Sequence, residues 1–275
     1  MSSGPNPPLE NVPPAPALQS TAPVPPQSAP AENPVWGGWD VLFIATVTIF
    51  IVMLLVPGIA VFLAKKFLYH GVPLTEIAQK PWLGLTAEFV GYLLLFVFIV
   101  MFIEGRYQVS FLQAIRWNWP SQTWLLFAGF GIVLLIAIQV LGHFLPMPKE
   151  VPLDKFFQSA RDAYLTSIFA ISFGPFMEEL LFRGILYPVL ARRTGMIASI
   201  VITGTLFGLI HGLQLSFAWG PVLLIILVGI ALTIIRAISK SVGASLIVHI
   251  AYNSTLTVLS YIQTDGFRHL ERLKQ

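Results

Sequence analysis

The sequence has no cysteine. Disulfides, thiolate metal sites and a thiol nucleophile are therefore excluded. Charge is scarce as well. Asp, Glu, Lys and Arg supply 11% of the 275 residues, where soluble domains carry about 25%. The formal net charge of +3 is too small for an electrostatic footprint on nucleic acid, so no nucleic-acid partner is expected. Apolar residues reach 56%, more than a soluble domain of this length can hide from water. This composition excludes a soluble globular enzyme and a disordered regulator. It leaves an integral protein of the cell membrane, with the lipid bilayer as its solvent.

The chain divides into unlike parts. Residues 1–38 hold 11 of the 21 prolines and no Lys or Arg. Such a stretch cannot build a core and favours extended polyproline II. It also lacks the basic and apolar regions of a signal peptide. We read it as a disordered tail, with a Pro-rich docking segment as the sharper alternative. Residues 39–265 read as a transmembrane helical domain and 266–275 as a charged C-terminal tail. Apolar runs of near-bilayer length fall at 40–64, 84–103, 122–145, 166–190, 196–212, 220–238 and 243–262. An eighth helix has room within 67–83 or 106–118. The expected fold is all-α: a polytopic transmembrane bundle of seven or eight membrane helices, because strands with open edges cannot satisfy their backbone in lipid. With seven spans, the Lys and Arg bias favours the N-terminal tail outside and the C-terminus inside. Trp36, Trp39, Trp82, Trp117, Trp119 and Trp124 cluster near span ends and read as an aromatic belt.

Charges within the spans carry the chemical signal. In the run from Ile168 to Gly184, Glu178, Glu179 and Arg183 occupy the middle of an apolar helix. Each ionised group at the bilayer centre costs at least about 2.5–3.5 kcal/mol on insertion scales. Glu179 and Arg183 are i,i+4 and share a face, so they can brace each other. Glu178 lies about 100° around the helix and stands free as the working carboxylate. Gly174-Pro175 is expected to kink or restart the helix. A structural intramembrane ion pair is the plain alternative. His211 closes the next span, one turn after Phe207. Gly204, Gly208 and Gly212 form a small-residue stripe for close helix approach. His249 and Asn253 are i,i+4 on a third span, with interhelical polar glue as the plain reading. Taken together these residues supply a base, a second proton-handling group and hydrogen-bond donors, the parts of water-driven amide hydrolysis. Glu88 and His143 lie near span ends and read as interfacial.

Glu178-Glu179…Arg183, Phe207…His211 and His249…Asn253 resemble the motifs E-E-x-x-x-R, F-x-x-x-H and H-x-x-x-N of the CAAX-protease and bacteriocin-processing (Abi) family of intramembrane glutamate endopeptidases. All three occur in order, and the resemblance covers about residues 165–256, the expected catalytic core. It implies endoproteolysis of a membrane-associated protein or peptide, lipidated or not. It further implies that Glu178 and His211 activate water, that His249 and Asn253 stabilise the oxyanion, and that Glu179, Arg183 and Phe207 support them. No cofactor is expected. Zinc held by Glu178, His211 and His249 is a secondary option. A zinc H-E-x-x-H motif, a G-x-S-x-G nucleophile and a paired-aspartate set are all missing. The rival readings are a non-catalytic membrane immunity or scaffolding protein of the same fold, and a small transporter using the buried charges as an ion path.

Overall fold

The structure is a computed structural model that describes Met1, Gly4 and residues 32–274. Most of the Pro-rich stretch, residues 5–31, lies outside the described residues. All regular structure among the described residues is helical. Seven apolar helices form a polytopic bundle: α1 (Gly38–Phe67), α2 (Pro81–Tyr107), α3 (Trp124–Gly142), α4 (Ala160–Thr194), α5 (Met196–Ile210), α6 (Trp219–Ser239) and α7 (Val242–Gln263). All but α5 are long and apolar enough to cross a membrane, so the protein is a multi-pass integral membrane protein. The stretches that left room for an eighth helix hold only single turns, Leu74–Ile77 and Phe111–Ala114.

Local chemistry sets the ends of these helices. Ser159 and Ser241 cap α4 and α7, their hydroxyls accepting the N–H groups of Asp162 and Ala244. Gly195, at φ +78°, ends α4 and turns the chain directly into α5, a backbone conformation that a Cβ disfavours. In lipid, close approach is set by small residues. A Cβ on Gly208 would lie 2.7 Å from the Ile226 nitrogen, and one on Gly204 would lie 2.6 Å from that of Ile230. The stripe thus seats α6 on α5. Gly212 lies past the helix, against the Phe217 ring.

Two apolar clusters organise the interior. One joins α1 and α2 to α4 through residues such as Ile44, Leu95, Ile99, Met177 and Leu180. The other joins α3, α6 and α7 through Ile138, Val228, Leu232 and Val248. Within α4 the α-helix stops at Ala170, restarts at Phe173, and widens to a π-helix over Leu180–Leu186. Single-turn π-bulges inside α-helices are frequent at functional sites.

Trp36 departs from the aromatic-belt reading. It is fully buried, and its indole N–H donates to the Ile185 carbonyl at 3.0 Å. Trp39, Trp119 and Trp124 are exposed.

Candidate active site

The site forms where α4 meets α5, α6 and α7. The restart at Phe173 sets Glu178 and Glu179 at the end of a short α segment, with Arg183 inside the π-helix. Pro175 is the third residue of that segment, where its missing N–H costs no intrahelical bond. Glu178 lies more than a turn from the restart, away from the first-turn N–H groups. The break is instead tied by Asn253 of α7, whose amide donates to the Ala170 carbonyl at 2.7 Å.

Glu179 and Arg183 are both fully buried, with Nη1 2.9 Å from Oε1. Arg183 spends its other donors on α6, giving Nη2–H to the Gly229 carbonyl at 2.8 Å and Nε–H to the Thr233 hydroxyl at 3.3 Å. Its guanidinium lies 4.5 Å from the centre of the Phe207 ring. One arginine therefore neutralises Glu179 and bolts α4 to α6, a use suited to a planar five-donor fork. The brace inferred from i,i+4 spacing is present, and it has two further partners, Gly229 and Thr233, that no sequence signal marked.

His249 reaches into the same network. Its Nδ1 lies 2.9 Å from Glu179 Oε1. A carboxylate can only accept, so Nδ1 carries the proton and Nε2 is turned away from it. His211 behaves alike, with Nδ1 2.8 Å from the Phe207 carbonyl oxygen. Both Nε2 atoms face Glu178: His211 Nε2 is 3.7 Å from Oε1, and His249 Nε2 is 3.6 Å from Oε2. Phe207 packs under both rings, at 4.9 Å from His211 and 5.9 Å from His249. Glu178 retains 20% side-chain exposure and His211 18%, whereas His249 keeps 5%. The sequence-derived residues Glu178, Glu179, Arg183, Phe207, His211 and His249 thus converge, with Asn253 one turn beyond His249 on α7.

With their Nδ1 atoms committed, the two imidazoles present Nε2 to the Glu178 carboxylate. Two ring nitrogens and one carboxylate are thereby gathered at a single point between α4, α5 and α7. Among the described residues, no group of three or more His, Cys, Asp or Glu side chains has an arrangement suited to hold a metal ion.

Glu88, near the start of α2 as its sequence position implies, is half-buried and turned toward the site. On α2 it pairs with the Tyr92 hydroxyl, and it lies close enough to Glu178 and His211 for their charges to interact. Tyr92 stacks on Phe169 and meets Phe173, which fixes this face of α2 against α4. The available signal was a carboxylate inside a long apolar run, costly unless it has a function or a partner.

Residues 160–255 match the family model described as type II CAAX prenyl endopeptidase Rce1-like. The match spans about a third of the chain and includes every residue of the three motifs. It is consistent with the CAAX-protease and bacteriocin-processing family. It supports a CAAX-type intramembrane protease in general, hence a peptidase, acting in a membrane on a membrane-associated protein. No curated protein and no solved structure matches the chain.

Proposed function

We propose that the protein is a glutamate-type intramembrane endopeptidase in which Glu178 and His211 activate the hydrolytic water. The observation that carries this reading is the placement of the Glu178 carboxylate between the Nε2 atoms of His211 and His249, at 3.7 and 3.6 Å. Residues 165–256 would be the catalytic core of the membrane domain.

Each group then has a task. Glu178 takes the proton of water as its oxygen adds to the scissile carbonyl carbon. His211, its ring fixed by the Phe207 carbonyl, holds the water through Nε2. As the carbonyl oxygen becomes an oxyanion, it needs donors set in advance. His249 supplies Nε2–H when its ring carries both protons. Asn253 supplies the amide hydrogen that Ala170 does not use. The proton on Glu178 passes to the leaving amine, and the peptide bond is replaced by a carboxylic acid and an amine, the acid then giving its proton to the amine or to solvent. Glu179 and Arg183 make no contact with the reacting atoms in this scheme; they hold α4 and the His249 ring in register. Because the site lies among membrane-spanning helices, the substrate is a peptide segment held at the membrane, lipidated or not.

The test is hydrolysis by purified protein in detergent micelles of a fluorogenic peptide ending in a prenylated Cys-aliphatic-aliphatic-X sequence, beside the same peptide without the lipid. Cleavage by the wild type and none by Glu178→Gln supports the reading. Equal turnover by Glu178→Gln would overturn it.

A further inference from the structure

The segment Glu32–Trp36, inside the stretch that composition assigns to the tail, is bonded to three elements around the C-terminal end of the helix that carries the site. Glu32 accepts from Arg116 Nη1 at 3.0 Å and from Arg236 Nη1 at 2.9 Å, with Arg236 Nη2 at 3.4 Å from its second oxygen. Arg192 donates to the carbonyls of Pro34 and Trp36 at 2.9 and 3.1 Å. Trp36 is fully buried and donates to Ile185 within the π-helix. Arg236 is 1% exposed and lies over the Tyr187 ring, 5.4 Å from its centre. It stands one turn beyond Thr233, which itself holds Arg183.

These contacts are not those of a passing tail. A buried guanidinium needs a counter-charge, and among the described residues Glu32 is the carboxylate paired with Arg236. The π-helix spans the residues just after Glu178 and Glu179, a form that recurs at functional sites. The indole bond and the Arg192 grip fall on its end and on the α-helical turns that follow.

We propose that Glu32–Trp36 is a clasp that fixes the π-helical foot of α4, making Glu32 and Trp36 positioning residues for Glu178, Glu179 and Arg183. Its catalytic consequence rests on the protease reading above; the hold on the helix does not. Glu32 acts by neutralising Arg236 and Arg116, which draws α6 and the turn after Phe111–Ala114 onto the segment. Trp36 acts through its N–H on Ile185.

The experiment is hydrogen exchange on the purified full-length protein in detergent, comparing wild type with Trp36→Phe, Glu32→Gln and Glu32→Asp. Trp36→Phe keeps a buried ring and loses the donor. Amides in 180–190 should exchange about tenfold faster in Trp36→Phe and Glu32→Gln, with α3 and the middle of α7 unchanged, as for local opening. Glu32→Asp, which keeps the carboxylate, should restore protection in part. On the prenylated fluorogenic peptide, kcat should fall about tenfold with KM nearly constant, since small misplacement of catalytic groups costs rate. Unchanged exchange at 180–190 in both variants overturns the clasp. So does a rise spread equally over all helices, which marks general destabilisation. A wild type that cleaves neither peptide sinks the protease reading alone, and the exchange result still decides the clasp.

Discussion

His249 Nδ1 and Arg183 Nη1 both lie 2.9 Å from the same oxygen, Oε1 of Glu179. One buried carboxylate oxygen therefore closes the helix brace and orients the ring that faces Glu178. The neighbouring glutamates differ in exposure. Glu179 is sealed and bonded, while Glu178 is one-fifth exposed and approached by the two imidazoles at more than ordinary hydrogen-bond distance.

That difference separates the two acids experimentally. Glu178→Ala and Glu178→Gln should abolish hydrolysis and leave the thermal midpoint in detergent close to wild type, because Glu178 makes no short hydrogen bond in the fold. A fall in midpoint that matches the loss of activity would show that Glu178 is structural.

Glu179→Ala or Arg183→Ala should act the other way. Each leaves the other charge buried without its counter-ion, at a cost of about 3–5 kcal/mol. Replacing both with apolar residues, as in Glu179→Leu with Arg183→Met, should recover much of that stability, since well-packed apolar pairs substitute for buried ion pairs at little cost. Activity should not return with it, because His249 then has no acceptor at Nδ1. Recovery of both would show that Glu179 serves only the fold.

The helices were legible in the sequence because lipid enforces runs of a fixed length, and the site because charges inside those runs are expensive. Glu178, Glu179 and Arg183 stood out on those grounds, His211 and His249 only as part of the set of three motifs, and the five converge in the structure. Other features had no local signature. The break in α4 falls at Ile171–Ser172, ahead of Gly174-Pro175, because a proline early in a helical segment loses no bond. Thr233 and Gly229 look like ordinary residues of an apolar helix, and only the fold brings them to Arg183. Trp36 sits among prolines, and its burial is decided by residues some 150 positions away.

Glu88 and Tyr92 should behave as one unit. Glu88→Gln and Tyr92→Phe are each expected to lower hydrolysis without abolishing it, and the double variant should do little more than either alone. Non-additivity of this kind marks residues that share one interaction. Rates measured on the four proteins of that cycle give the answer, and simple additivity would detach Glu88 from Tyr92.

The last prediction separates water activation by side chains from metal hydrolysis. In the proposed mechanism Asn253→Ala removes a donor for the oxyanion, so kcat should drop about 10²–10³-fold, the usual cost of one such donor. KM should change little, because the charge develops only in the transition state. The same substitution orphans the Ala170 carbonyl at the α4 break, so a modest stability loss of about 1 kcal/mol accompanies it. Asn253→Asp, which cannot donate, should match Asn253→Ala in rate. If zinc were the catalyst, Glu178 and the Nε2 atoms of His211 and His249 would be its ligands. Exhaustive chelation would then silence the protein until zinc was restored. With side-chain catalysis, activity should survive chelation, and elemental analysis of active protein should find zinc well below one atom per chain. Stoichiometric zinc lost and regained in step with activity would reassign Glu178, His211 and His249 to the metal and leave Asn253 as the oxyanion donor.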